Sequence, residues 1–472
     1  MKIGMVCEGS YPYVSGGVSS WVHTLISSMK EHEFYVFSIV ARNQDLVPQY
    51  DFPENVSKHI VLSIDLSLKE LKRKRKLLLT KEEEELLTQF FTMKTTDPQA
   101  LTLLAKINQQ LQHPSRFFLT ENYWRILQIC YEGESQDYSL IEYFYMLQGM
   151  YLPILACLQD DFVKLDTIHS VSTGYAGLVG SFISEKQNIP LILTEHGIYT
   201  REREEEILLA EWIPAIFKRR WMDFFHHLGQ ITYNQAEKII TLFERNAKVQ
   251  RSKGASPGKQ LLIKNGVVIP SLQHNEAKKT SVFHIGSVIR VVPIKDIKTM
   301  LYAAKELKGR GQNVKWSILG PLTEDKEYAE ECLQLLQELN LIEEVKFFGK
   351  VKVDTFLPMF DVCVLSSISE GQPLSILEAF SYGVPCITTD VGACRELLYG
   401  DENDELGRAG IIVPPVSPKQ LADAIEVLKA DEGKRREMGE IGRRRVNEYY
   451  QQKDMIHSYR SIYEGRESTW LE

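Results

Sequence analysis

Two glutamates, Glu370 and Glu378, stand with seven residues between them, the first opening the segment Glu370-Gly371-Gln372-Pro373-Leu374-Ser375. The apolar run Val362-Cys363-Val364-Leu365 precedes this segment, and the helix-forming run Ile376-Leu377-Glu378-Ala379-Phe380 follows it. Such an order spells a strand-to-helix turn, whose free amide N–H groups suit a phosphate or sugar oxygen. An ionised Glu378 can accept two hydrogen bonds from a ribose diol, and Glu370 can accept one from a sugar hydroxyl. Acids near a helix N-terminus are favourable through the macrodipole alone. That does not account for glycine, proline and serine meeting both acids at the end of a strand. The pattern calls for a ligand that is anionic and hydroxylated.

In open parallel sheets ligands gather beyond the carboxyl ends of the strands, so residues in the following loops carry most weight. After the predicted strand Val282 to Gly286 come Arg290 and, five residues later, Lys295. Two fixed cations there can neutralise a diphosphate leaving group through charge-assisted hydrogen bonds; on their own they read as a solvated surface pair. Gly16-Gly17-Val18, before the first predicted helix, lets backbone N–H groups approach a phosphate or a sugar, although a glycine pair is more often a plain turn. Its spacing departs from the dinucleotide fingerprint G-x-G-x-x-G, which counts against a nicotinamide-dependent oxidoreductase. His196 follows a predicted strand in Thr194-Glu195-His196-Gly197, where it can hydrogen-bond a substrate hydroxyl or simply a backbone group. His169 and the pair His226-His227 make weaker cases. No histidine pairs with carboxylates at helical ligand spacing, so no metal is expected.

The elements that position these residues follow from the pattern of apolar runs. Strand, loop, helix and strand over the first forty residues make a βαβ opening. From about 66 to 160 the pattern turns to leucine-rich helical stretches, with Lys72-Arg73-Lys74-Arg75-Lys76 ahead of Glu82-Glu83-Glu84-Glu85, and reads as an insertion. Short apolar runs resume at Thr167, Pro190, Lys238 and Leu261 with helical segments between them, as a doubly wound sheet requires. The polar stretch Ser271 to Thr280 is the best linker. Beyond it lies a second α/β series with strands at Val314, Val345, Val362, Cys386 and Ile411. Ser417-Pro418 opens a helix, Gly383 and Pro385 close the one carrying Glu378, and the chain reads as helical from Glu432 almost to its end.

A length of 472 residues suits two domains, and two lobes imply a cleft. The formal net charge of -8 makes nucleic acid an unlikely main partner. Seven cysteines without C-x-x-C spacing read as reduced core residues. An acid at Glu8 interrupts any signal peptide. No run approaches the roughly 18 apolar residues of a membrane span, so the chain is expected to be soluble.

Taken in chain order, Gly16-Gly17, Thr194-Glu195-His196-Gly197, Asn265-Gly266-Val267, Arg290 with Lys295, and Glu370 with Glu378 resemble the retaining glycosyltransferases of family 4 (glycosyl transferases group 1). The resemblance implies an α/β GT-B fold, with two Rossmann-like doubly wound domains facing each other across a cleft. Residues 1–275 would form the acceptor-side domain with its helical insertion, 276–450 the nucleotide-sugar-binding domain, and 451–472 a helix returning to the first domain. Carried over, Arg290 and Lys295 contact the donor diphosphate, Glu378 the ribose and Glu370 the transferred sugar. The backbone of Gly371, Gln372, Pro373, Leu374 and Ser375 lies near sugar and phosphate, Val351 near the nucleobase, and Gly16 and Gly17 at the donor. His196, near the reacting sugar, completes a catalytic set with Arg290, Lys295 and Glu370. Two departures stand out: Phe283-His284-Ile285-Gly286-Ser287-Val288 replaces the commoner strand ending in Gly-Arg, and Gln372 takes a position often held by phenylalanine.

Cys7-Glu8-Gly9-Ser10-Tyr11-Pro12-Tyr13 leading into Gly16-Gly17-Val18-Ser19-Ser20-Trp21, and Glu195-His196-Gly197-Ile198-Tyr199-Thr200-Arg201-Glu202, look closest to one subgroup, the cytoplasmic glycosyltransferase of the Pel exopolysaccharide system. This implies transfer of a hexose from a UDP-sugar, with UDP-glucose the usual candidate, to a saccharide acceptor, without metal or cofactor. It also allows attachment to an inner-membrane polysaccharide synthase complex. The competing reading is a catalytically silent UDP-sugar-binding component of such a complex, with Trp212 to Phe225 as a docking segment.

Overall fold

The computed structural model describes residues 1–41, 46–64, 77–133, 138–158, 162–270, 282–402 and 404–466. The chain divides into two compact units, Met1–Leu262 and Ile263–Glu472. The linker expected at Ser271 to Thr280 and the basic run Lys72 to Lys76 lie outside the described residues.

The first unit carries strands β1 (Lys2–Glu8), β2 (Glu33–Val40), β3 (Val56–Ser63), β4 (Thr167–Ser170), β5 (Leu191–Glu195), β6 (Lys238–Thr241) and β7 (Gln260–Leu262). They form a parallel sheet in the order β3-β2-β1-β4-β5-β6-β7. Its helices are α1 (Gly17–Ser27), α2 (Lys81–Phe91), α3 (Gln99–Leu111), α4 (Glu121–Glu132), α5 (Leu140–Cys157), α6 (Gly174–Gln187), α7 (Tyr199–Leu209), α8 (Ala215–Gln235) and α9 (Glu244–Ser252). Strands such as β4 and β5 are buried along their whole length, which is why they read as unbroken apolar runs. Helices α2 to α5 are the expected insertion. Capping boxes start two of them, Thr80 with Glu83 at α2 and Ser139 with Glu142 at α5, each pairing a hydroxyl and a carboxylate with otherwise unpaired amides.

Helix α5 corrects the expectation that no segment is long and apolar enough to cross a membrane: by length and composition it is. Tyr143, Leu147, Met150, Tyr151 and Ile154 on it are fully buried in the core of the unit, and half of the helix lies inside the protein. Its apolarity serves packing.

The second unit carries β8 (Phe283–Val288), β9 (Val314–Leu319), β10 (Val345–Gly349), β11 (Val362–Leu365), β12 (Cys386–Thr389) and β13 (Gly410–Val413), all parallel, in the order β10-β9-β8-β11-β12-β13. Helices α10 (Ile297–Gly309), α11 (Lys326–Glu338), α12 (Leu374–Ser381), α13 (Cys394–Tyr399), α14 (Pro418–Ala430), α15 (Glu432–Tyr449) and α16 (Gln452–Tyr463) complete it. The expected terminal helix is two, because the backbone at Tyr450 and Gln451 pairs instead with Val267: its N–H donates to the Tyr450 carbonyl, and its carbonyl accepts from Gln452 N–H. Ser417 opens α14, but its hydroxyl bonds the Gln420 side chain rather than a backbone amide. Gly383, in the left-handed region at φ 72°, ends α12 as expected. All seven cysteines are free and buried.

Candidate functional site

The loops after three neighbouring strands of the second unit are stitched together around Lys295 and Glu370. After β11, the Ser366 hydroxyl reaches the carbonyls of Lys295 and Asp296 at 2.9 and 2.8 Å, and Ile368 N–H donates to the Ile294 carbonyl at 2.9 Å. The loop after β8 is thereby fixed against the loop after β11. Lys295 Nζ lies 2.5 Å from Glu370 Oε1, which also accepts the Ser367 hydroxyl at 2.5 Å. The side chains keep only 14% and 9% of their exposure, so this is a largely desolvated ion pair. Support from the loop after β12 comes through Gly392, at φ 52°, where a Cβ would stand 2.2 Å from the Glu370 carbonyl oxygen. Only glycine permits that approach.

Glu370 leads into α12, whose first residue follows Pro373 and whose N-terminus carries no side-chain cap. Pro373 thus offers the leading amides of α12 no cap, and an anion is the kind of partner such amides take. Glu378 projects from the middle of this helix. Burial, with the charge of Asp354 second, pushes its carboxyl up to about 7. Glu378 thus keeps its proton well above the usual carboxylate range, whereas the ribose role expected from the sequence needs the ionised form.

Arg290 does not join the Lys295–Glu370 pair. Its guanidinium bonds Glu324 at 2.9 Å with the side chain 40% exposed. A diphosphate would have to draw it off a surface ion pair, which costs little. Gln372 is buried, and its Oε1 accepts the Asn265 N–H at 2.7 Å, so this departure from the family pattern ties two loops of the unit together. Val351 is half-buried in the loop after β10.

In the first unit, Gly16 precedes the start of α1, and the positions a Cβ would take on Gly16 and Gly17 meet nothing within 4 Å. His196 follows β5. Its Nε2 is shielded from solvent and has no protein partner, and its ring packs against Trp21 at 4.6 Å between centroids. Burial lowers its pKa to about 4, so the imidazole is neutral at ordinary pH. His169 is fully buried on Thr194, His226 bonds Glu204, and His227 bonds the Thr95 carbonyl at 2.6 Å, so these three have structural partners. Trp212 is largely exposed at its edge contact with Trp221.

Sequence reasoning missed Glu8. At the end of β1 its carboxylate accepts the amides of Tyr175 and Ala176 at the start of α6 at 3.0 and 3.2 Å, and the Tyr199 hydroxyl at 2.6 Å. Arg203 stands 3.7 Å away, over the Tyr199 ring. An acid closing an otherwise apolar central strand was the available signal. Glu195 is likewise buried and satisfied by the Thr173 and Tyr233 hydroxyls and the Gln250 amide.

Residues 1–258 match the family model described as Domain of unknown function (DUF3492), and residues 269–445 match Glycosyl transferases group 1. The chain is 24% identical over 313 residues to MMP alpha-(1->4)-mannosyltransferase of Mycolicibacterium hassiacum, covering 66% of this chain and 72% of that protein. It is 26% identical over 326 residues to D-inositol 3-phosphate glycosyltransferase of Paenarthrobacter aurescens, covering 65% and 76%. Among solved structures, sucrose-phosphate synthase from Thermosynechococcus elongatus aligns over 98% of both chains with a TM-score of 0.64 at 17% identity. Anabaena HepE in complex with UDP-glucose aligns over 98% of this chain and 100% of its own, with a TM-score of 0.61 at 15% identity. At those identities the structural likeness establishes the fold: two Rossmann-like parallel-sheet domains of the GT-B type.

Proposed function

We propose that this chain, which belongs to the family described as Domain of unknown function (DUF3492) and carries a glycosyl transferases group 1 domain, is a retaining glycosyltransferase that moves a hexose from a UDP-sugar to a saccharide acceptor. Glycosyltransfer follows from the group 1 domain and the curated relatives. The finer reading takes UDP-glucose as donor, a Pel-type exopolysaccharide as product and the cytoplasm as the place of work. The observation that carries it is the desolvated Lys295–Glu370 pair beside the uncapped start of α12, with Glu378 on the same helix. A diphosphate leaving group needs fixed positive charge, a ribose needs acceptors, and a hexose hydroxyl needs a carboxylate; these residues supply all three in one loop system. The UDP-glucose complex of HepE, on the same fold, supports the choice of nucleotide.

In this reading Lys295 and Arg290 meet the departing diphosphate without a metal, Glu378 accepts from the ribose, and Glu370 orients the hexose. His196, neutral, offers one hydrogen-bonding nitrogen to the reacting sugar. The acceptor attacks from the face the diphosphate leaves, and the leaving phosphate takes its proton, so configuration is kept. Nucleotide release from UDP-, ADP- and GDP-linked hexoses tests the donor, with a thermal shift on binding as the second readout. UDP-glucose should give both. Preference for an ADP- or GDP-sugar would overturn the donor assignment, and a covalent glycosyl-enzyme would overturn the attack geometry.

A further inference from the structure

The glycine loop and His196 belong to different elements, and one side chain joins them. Trp21 lies one turn into α1, four residues after Gly17, and is 3% exposed. Its indole stands edge-on to two imidazoles, at 4.6 Å and 75° to His196 and at 5.9 Å and 89° to His169. His169 is held from below by its 2.8 Å contact with Thr194 Oγ1. His196 has no such tether: its Nε2 is buried and unpartnered, so its ring orientation is set by packing. A buried polar atom without a partner is costly and therefore marks either a ligand position or a water.

We propose that Trp21 is the positioning residue of this site, its indole shielding the His196 ring from water and leaving Nε2 available to a sugar hydroxyl. The proposal rests on the glycosyltransferase reading for its ligand, but its statement about the ring does not. The titratable groups around His196 fit it. His169 from β4 is itself buried and engaged with Thr194. Glu195 on β5 is turned to Thr173, Tyr233 and Gln250. Glu202 on α7 reaches the place where a side chain on Gly197 would begin. Packing against the indole keeps water from the imidazole, and it is this burial that disfavours the charged form.

The test is titration of the whole protein carrying 13C-labelled histidine, with the His196 signal identified by its loss in His196→Gln. In the wild type it should not titrate between about pH 5 and 8. Trp21→Leu should bring its titration into that window and lower turnover of UDP-glucose at least about tenfold, mainly in kcat. Trp21→Phe, which keeps an aromatic ring, should restore both. Wild-type His196 titrating near its ordinary value overturns the proposal even if Trp21→Leu fails to fold. So does a folded Trp21→Leu with an unmoved titration and turnover within about twofold of wild type. Absence of nucleotide release by the wild type would instead refute the glycosyltransferase reading and leave the titration to decide on the ring.

Discussion

Replacing Lys295 by methionine separates its two roles, because the pair it makes can be removed from either end. Loss of one partner of a fully buried ion pair costs about 3–5 kcal/mol. Here Lys295 and Glu370 keep 14% and 9% of their side-chain exposure, and the Ser367 hydroxyl remains on Glu370 Oε1. The expected loss is therefore that of a charge-assisted hydrogen bond, about 1–3 kcal/mol. Adding Glu370→Gln removes the stranded charge and should return stability to within about 1 kcal/mol of wild type. Turnover behaves differently. Lys295 is assigned to charge developing on the departing diphosphate, and removal of one such group costs about a hundredfold to a thousandfold, or about 2.7–4 kcal/mol. The double variant should recover none of it. Urea unfolding followed by far-UV circular dichroism reads the first quantity, and release of UDP from UDP-glucose reads the second. A double variant that regains wild-type turnover, or a single variant that never loses it, would refute the assignment of Lys295 to the leaving group.

Two further outcomes follow from the geometry of the same unit. The Glu378 carboxyl is raised to about 7, so the stability it contributes is fully present below the ordinary carboxylate range and is lost as pH climbs through about 7. If its ionised form accepts from the ribose, UDP affinity measured by calorimetry should strengthen over the same rise, and Glu378→Gln should abolish that pH dependence. Gln372→Ala should leave the Asn265 N–H buried without an acceptor and destabilise the protein by about 1–3 kcal/mol, read by urea unfolding; an unchanged unfolding curve would refute the tie.

Both sheets could be read from the sequence because central parallel strands are buried on both faces and spell unbroken apolar runs. Strand β3 could not: at the sheet's edge, Ser57 and Lys58 face solvent and the pattern dissolves into a mixture. The strand-to-helix turn at Glu370 was legible because glycine, proline and serine are local signals. Its pairing with Lys295, 75 positions away, is a tertiary contact that no local pattern encodes. The same holds for Arg290 with Glu324 and for Gln372 with Asn265. Helix α5 reads as less apolar than it is because Glu142, Tyr143 and Tyr151 interrupt the apolar count, although the acid caps the helix and the two tyrosines pack inside. Glu8 escaped because its partners, Tyr175, Ala176 and Tyr199, are brought together only by the sheet.

The two units share an architecture yet treat the mouths of their corresponding helices in opposite ways. In the first, the leading amides of α6 are already spoken for by a carboxylate the chain itself provides, so a phosphate arriving there would find its donors occupied by another anion's oxygen. In the second, proline opens α12 and no side chain covers it. The same strand-to-helix junction is thus closed by the chain's own acid in one unit and left without such a carboxylate in the other.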